Sequence, residues 1–277
     1  MKLCLARHLW GVDLSPGIEP YLPHWRKIGY TAIETSLNHT EDIPAFYRLL
    51  KQEGLQCIAD VFTLGFSPGG TPREHLESLR SQLEVCSDVS PILVNSHSGL
   101  DRWSAPEMED FFSGALELER EFGIRLCHET HRQRCLCTPW TTARLIAQFP
   151  TLKLTADFSH WVCVAHRLLP DFDELITQVA KQTHHIHSRV GYSQGPQVPD
   201  PRAPEWSAEL QAHEDWWQRI WAAQKAAGLP VSTLTPEFGP PPYMWTLPYT
   251  GEPIANLADI CDWMAARQAA RFAQLHA

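Results

Sequence analysis

The chain has 277 residues and a mass of 31.5 kDa, of which 44% are hydrophobic and 20% charged, a balance that supports a sizeable core and excludes a disordered or fibrous chain. Its 23 Lys and Arg against 32 Asp and Glu leave a formal charge of −9. No excess positive field exists to hold a phosphate backbone or an anionic membrane, so neither nucleic acid nor a membrane is an expected partner.

Short β-type runs alternate with helix-type stretches along the whole chain. The runs are Leu3 to His8, Ala32 to Ser36, Gln56 to Thr63, Ile92 to His97, Ile124 to His131, Leu152 to Phe158, His184 to Val190 and Val231 to Phe238. Between them, apolar residues fall at helical spacing, as at Phe46, Leu49 and Leu50, or at Ile254, Leu257, Ala258, Cys261 and Met264. Gly54 and Gly123 stand where a helix should stop before the next strand. Strict alternation implies parallel strands joined by right-handed crossovers, and eight units of about 30 residues match a closed (β/α)8 TIM barrel, a single domain over 1–277. An open doubly wound sheet is the alternative. The connection between the seventh and eighth runs is longer than the others and contains Gly191 to Arg202, an extended loop after strand 7.

A barrel carries its chemistry at the carboxyl ends of its strands. Four neighbouring strands end here on metal-binding side chains: Glu129 on the fifth, Asp157 on the sixth, His185 and His187 on the seventh, Glu237 on the eighth. Strand parity turns them inward together. Ile124, Leu126, Leu152, Leu154, Ala156, Ile186 and Leu234 suit the outer face, which leaves Cys127, Glu129, Thr155, Asp157, His185, His187, Arg189, Thr235 and Glu237 facing in. Adjacent strands lie about 4.8 Å apart, so one divalent ion can bridge such a set. Three carboxylates and an imidazole suit Mn²⁺ or Mg²⁺ and also accept Co²⁺ or Zn²⁺.

On these residues the sequence resembles the xylose isomerase-like barrels, a family of sugar epimerases, hydroxypyruvate isomerases, inosose dehydratases and, more distantly, endonuclease IV. Asp157-Phe158-Ser159-His160 is similar to the family's Asp-x-x-His on strand six. His185-Ile186-His187 is similar to its His-x-His on strand seven, and Glu129 and Glu237 to its strand-five and strand-eight glutamates. The resemblance implies that Glu129, Asp157, His187 and Glu237 ligate one metal ion, with His185 as the fallback, and that His160 binds substrate. Where endonuclease IV has a further Asp-x-His, this chain reads Asp200-Pro201-Arg202, so the resemblance disfavours a nuclease. Gln197 to Arg202 is loosely similar to the Pro-Gly-Arg loop by which sugar isomerases of the group hold substrate.

The expected function is therefore that of a metal-dependent sugar or polyol isomerase or epimerase. A chelated hydroxy-carbonyl substrate loses a C–H proton to give an enediolate, and Glu129 and Glu237 flank it as catalytic acid and base. His160, Arg189 and Arg202 steady the oxyanion. His97 and His8, at the ends of strands four and one, and Trp10 and Trp161 are further candidates for substrate contact, while His128 reads as structural. Trp216 and Trp217 lie near the long loop, although Trp217 and Trp221 also suit helix packing. The alternatives are a dehydratase of a keto-sugar or inosose on the same fold, a non-catalytic sugar-binding barrel and a nuclease.

Absences narrow the chemistry further. Lysines such as Lys27, Lys51, Lys181 and Lys225 fall away from strand ends, which disfavours an imine mechanism. No GxGxxG or GxxxxGKS stretch indicates a nucleotide, and Gly239-Pro240-Pro241-Pro242 lacks the backbone donors of a phosphate site, so an unphosphorylated substrate is expected. The eight cysteines have no regular spacing and read as reduced thiols, Cys135 and Cys137 included. Arg7 and His8 break the apolar start before a signal-peptide core forms, and no run approaches the roughly 20 apolar residues of a membrane span. A cytoplasmic location is expected. Oligomerisation is left open.

Overall fold

The computed structural model describes residues 1–37, 42–169 and 172–276. Eight parallel strands close on themselves in chain order: β1 (Lys2–His8), β2 (Tyr30–Ser36), β3 (Gln56–Phe62), β4 (Leu93–His97), β5 (Leu126–Glu129), β6 (Lys153–Ala156), β7 (Thr183–His187) and β8 (Val231–Thr235), with β8 pairing to β1. The helices around them are α1 (Leu22–Ile28), α2 (Ile43–Gln52), α3 (Pro72–Val89), α4 (Ala105–Phe122), α5 (Pro139–Gln148), α6 (Phe158–Ala165), α7 (Asp173–Gln182), α8 (Ser207–Ala226) and α9 (Leu257–His276). This is a single (β/α)8 TIM barrel.

Local signals set the helix ends. Thr71 with Glu74 opens α3 and Ser104 with Glu107 opens α4, each pair exchanging side-chain and backbone hydrogen bonds. Gly54 follows α2 and Gly123 follows α4 at φ of 67° and 65°, which a side chain would strain. Helix α9 starts at Leu257, so Ile254 lies outside it, in an exposed loop.

The alternation of side chains divides the interior into two levels. Outward residues such as Leu126, Leu154, Ala156, Ile186 and Leu234 join the helices in the main core, where Trp217 and Trp221 are also fully buried. Trp216, on the same helix, packs edge-on against Phe158, so this pair packs the barrel and does not line a loop. Inside the barrel, Cys4, Ala6, Ala32, Ile58, Leu93 and Cys127 form an apolar plug. Above the plug the inward positions turn polar: Glu34, Asp60, Asn95, Glu129, Thr155, His185 and Thr235 are all buried. Polar groups above an apolar floor make a cup that opens at the carboxyl ends of the strands.

The ladders stop earlier than the sequence runs suggest. Strands β5 to β8 end at Glu129, Ala156, His187 and Thr235, and Phe158 already begins α6. The inward residues just beyond β6 and β8 are therefore held by loop and cap contacts.

The extended loop after β7, residues 188–206, is anchored at three points. Val198 N donates to Val190 O, and Gln197 exchanges two hydrogen bonds with the backbone of Gly239 at 2.7 and 3.1 Å. The third anchor is His213 of α8, whose Nε2 accepts from Gly191 N while Nδ1 donates to Glu209 O. This geometry requires a neutral ring, and burial pushes the His213 pKa down to about 4. An imidazole in the unfolded chain titrates near 6.5, so the unfolded chain binds the proton first. The His213 contribution is complete above about pH 6.5 and is lost as the pH falls toward 4, about 3 kcal/mol in all. Urea midpoints measured between pH 7 and 4 should fall accordingly, and His213→Gln should flatten that part of the profile.

Candidate functional site

Four side chains from β5 to β8 converge at the top of the cup. One ligand atom from each of Glu129, Asp157, His187 and Glu237 lies within 4.8 Å of the other three, and all four residues are buried.

Each is aimed by a different local device. Glu129 closes β5, and its Oε2 accepts from Asn95 Nδ2 at 2.8 Å and lies 3.0 Å from His97 Nε2. Asp157 caps the N-terminus of α6, with Oδ1 accepting from Ser159 N at 3.0 Å, while Thr130 Oγ1 bonds both its N–H and its C=O at 2.9 Å. His187 ends β7 with Nε2 held by Glu34 Oε1 at 2.9 Å, which leaves Nδ1 facing the other ligands. Nδ1 lies 2.8 Å from Glu237 Oε2 and 3.7 Å from Glu129 Oε2. Glu237 follows β8 and reaches Arg189 Nη2 at 3.2 Å.

The electrostatics follow from crowding without solvent. Burial raises the Asp157 pKa and Arg189 opposes it, with Glu237 and Glu129 adding to the rise, to about 6. Burial would also raise Glu237, but His187 and Arg189 prevail and bring it to about 2. Glu129 is held well below the usual range because His97 and His187 outweigh its burial. For His187 burial works downward, yet Glu237, Glu34 and Glu129 lift it well above an ordinary imidazole.

The residues fit a divalent cation. Glu129 Oε1, Glu237 Oε2 and His187 Nδ1 are buried without an aligned hydrogen-bond partner, a costly state that a shared ion relieves. Five carboxylates, those of Glu34, Asp60, Glu129, Asp157 and Glu237, crowd the cup, and Arg189 pairs with two of them, Asp157 and Glu237. The oxygen-rich donor set with one imidazole suits a hard or borderline metal.

Around this centre the structure sorts the sequence candidates. His160 is buried on α6, and its Nε2 accepts from Arg189 Nη2 at 2.9 Å. Arg189 also pairs with Asp157 and donates from Nε to Ser159 Oγ. His97 stacks on Phe62 and touches Glu129. His8 Nδ1 accepts from Trp10 N at 2.9 Å, so Nε2 carries the hydrogen that meets Asp60 Oδ2 at 3.0 Å. Trp10 sits at the rim, edge-on to Tyr243 at 5.1 Å, over Gly239, where any Cβ would collide with the indole. His128 faces outward, bonded to Ser98 Oγ and packed on Phe112, as its parity predicts.

Three expectations need correction. Arg202 does not reach the cup: it is exposed, and its guanidinium is spent on Asp200 two residues away. Trp161 is fully buried in α6 and donates from Nε1 to Leu136 O, so it packs the barrel wall. His185 lies one pleat deeper than His187 and is bonded to Thr233 and Glu34, outside the set of four ligands; its ligand atom instead groups with those of Glu34 and His187, within 4.8 Å of one another.

Other cup residues escaped the sequence reading. Glu34 of β2 bonds His185, His187 and Thr235. Asp60 and Asn95 link His8 to Glu129 in a chain of hydrogen bonds. His131 packs against the rings of His97 and His160. Tyr243 arrives from the loop after β8, residues 236–256, with Arg132 and Arg189 against its ring. Inward parity marks Glu34 and Asp60, since they share a face with Ala32 and Ile58. Nothing in the sequence places Tyr243.

The model of the xylose isomerase-like TIM barrel family matches residues 24–192. Among solved structures the chain is similar to the probable 3-DHS dehydratase AsbF, involved in petrobactin synthesis, from Bacillus anthracis. The TM-score is 0.62 and the identity 14%, over 96% of this chain and 97% of that one. It is also similar to an L-ribulose 3-epimerase, with TM-score 0.62 and 15% identity over 100% and 98% of the two chains. An IOLI protein with a bound zinc atom gives TM-score 0.60 and 13% identity over 99% and 96%. No curated protein matches in sequence. With the family model covering more than half of its length, the chain belongs to the xylose isomerase-like TIM barrel family.

Proposed function

We propose that the protein is a divalent-metal-dependent isomerase or epimerase of a sugar or polyol-derived hydroxy-carbonyl compound. The observation that carries this reading is the pairing of four convergent ligand atoms with two glutamates, Glu129 and Glu237, from strands three places apart, each with a buried carboxylate oxygen left without an aligned hydrogen bond. In this reading Glu129, Asp157, His187 and Glu237 hold the ion. Once bound, such an ion supplies Lewis acidity that makes a C–H next to a carbonyl easier to deprotonate.

The remaining chemistry belongs to the side chains. Glu129 and Glu237 come from the two outer strands of the ligand set, β5 and β8, so one takes a proton from carbon and the other returns it, either to the opposite face or to the neighbouring carbon. His160 keeps Nε2 as an acceptor for Arg189, so its hydrogen is on Nδ1, which is buried without an acceptor and available to a substrate oxygen. The apolar plug below and the rings of Trp10 and Tyr243 at the mouth limit water, which protects the reactive enediolate. Small polyhydroxy compounds suit this enclosed cup better than a nucleic acid, which the charge of −9 would repel.

Metal-loaded protein incubated in D₂O with a panel of ketoses, aldoses and inososes tests the reading. Deuterium at carbon in an isomerised or epimerised product, and in recovered substrate, is the expected result. Net loss of water instead would assign the dehydratase chemistry, and no exchange with any member would count against both.

A further inference from the structure

One wall of the cup carries hydrogen-bond donors that none of the described residues satisfies. Arg132, just past β5, lays its guanidinium over the Tyr243 ring at 5.1 Å from the centroid, and among the described residues it has neither an ion pair nor a side-chain hydrogen bond. Arg134, two residues on, shows the usual alternative, since it donates to the carbonyls of Thr63, Gly65 and Gly99. The same Tyr243 ring has Arg189 at 4.9 Å and His160 at 6.5 Å. Arg189 Nη1 and His160 Nδ1 are both buried with no acceptor. Two guanidinium groups and an imidazole N–H thus surround one aromatic ring beside the ligands, with donors to spare and nothing to receive them.

We infer that the substrate carries a carboxylate, which Arg132 binds across the face of Tyr243 with Arg189 and His160 in support. This deepens the reading of the site as a sugar or polyol isomerase by naming an acidic sugar as its substrate class, and it rests on that reading. A planar guanidinium over an aromatic ring keeps its N–H groups free for a planar two-oxygen acceptor. The same N–H groups can pair with a phosphate, but the third terminal oxygen of a phosphate calls for a further donor. Pro240, Pro241 and Pro242, in the loop that brings Tyr243 to the mouth, have no backbone N–H to add.

Binding separates this inference from the chemistry, because it requires no proton transfer. The probes are D-gluconate, D-glucitol and D-glucitol 6-phosphate, which share a six-carbon polyol chain and differ in their end group. Calorimetric titration into metal-loaded protein should show gluconate binding about 10- to 100-fold more tightly than glucitol, the span of a charge-assisted pair. In Arg132→Gln that preference should collapse, and in Arg132→Lys it should fall partway, because the charge remains and the fork is lost. Glucitol serves as the reference that reports general damage to the cup, and thermal unfolding confirms that the half-exposed position tolerates both changes. Gluconate binding no better than glucitol, or keeping its advantage in Arg132→Gln by chelation alone, would overturn the inference, as would a clear preference for the phosphate. Absence of deuterium exchange with every sugar would instead overturn the isomerase reading and leave the binding result to stand alone.

Discussion

Glu237→Gln is expected to lower kcat/KM by about 10³-fold or more and to leave the purified protein short of metal. Glutamine keeps the volume, so the change isolates charge and basicity. Its amide meets His187 Nδ1 at the position where the carboxylate oxygen now lies 2.8 Å away, and it gives Arg189 a weaker partner than the oxygen at 3.2 Å. Both the ion and the proton transfer then lose a participant, which is why the effect exceeds that of a single hydrogen bond. Asp157→Asn should act in the same direction on metal content, with less effect on the chemistry if Asp157 serves only to hold the ion. Metal analysis and steady-state kinetics on both variants check this. A thermal measurement adds an independent readout: a metal at 100 times its Kd stabilises the wild type by about 2.7 kcal/mol, and that gain should vanish in Glu237→Gln. Full metal content and activity in both variants would show that the cup is not the site.

The sequence exposed the framework of this site more readily than its walls, for a physical reason. Strand parity is local, so the inward aim of Glu129, Asp157, His187 and Glu237 could be read from their neighbours Leu126, Leu154, Ile186 and Leu234, and all four converge. Barrel closure follows from the same alternation carried through eight units. Parity also carries Glu34 and Asp60 inward, but these two lie within their strands, where the sequence does not distinguish a cup residue from a core position as a strand end does. His185 shows the converse limit. Its parity is correct, yet its depth in the barrel depends on strand register, which no single strand reveals. Arg202 stands in a loop motif that points to substrate, but an Asp two residues away takes its charge. Tyr243 and Arg132 are brought together by two loops more than 100 residues apart in sequence, a tertiary fact with no local signal.

The second large effect is expected at Glu34, away from any metal ligand in sequence. Its carboxylate is fully buried and receives His187 Nε2 at 2.9 Å, His185 Nε2 at 3.2 Å and the Thr235 hydroxyl. One side chain on β2 thereby ties β7 and β8 together through the middle of the barrel and fixes the ring of His187 with Nδ1 toward the other ligands. Glu34→Leu fills most of the volume but leaves two imidazoles and a hydroxyl buried without their acceptor. Replacing a whole buried polar group by apolar residues can be neutral, but removing one partner is not, and the loss should be about 3–5 kcal/mol. Urea denaturation of the metal-free protein measures it. Freed from Glu34, His187 should also bind the ion about 10- to 100-fold more weakly, the usual cost of losing the group that orients a ligand. Glu34→Gln keeps one carbonyl oxygen for one of the two imidazoles, so both losses should be smaller and should fall together. If Glu34→Leu weakens folding while leaving metal affinity intact, the carboxylate braces the barrel without aiming His187. If it leaves both unchanged, the hydrogen bonds across the barrel contribute nothing to either.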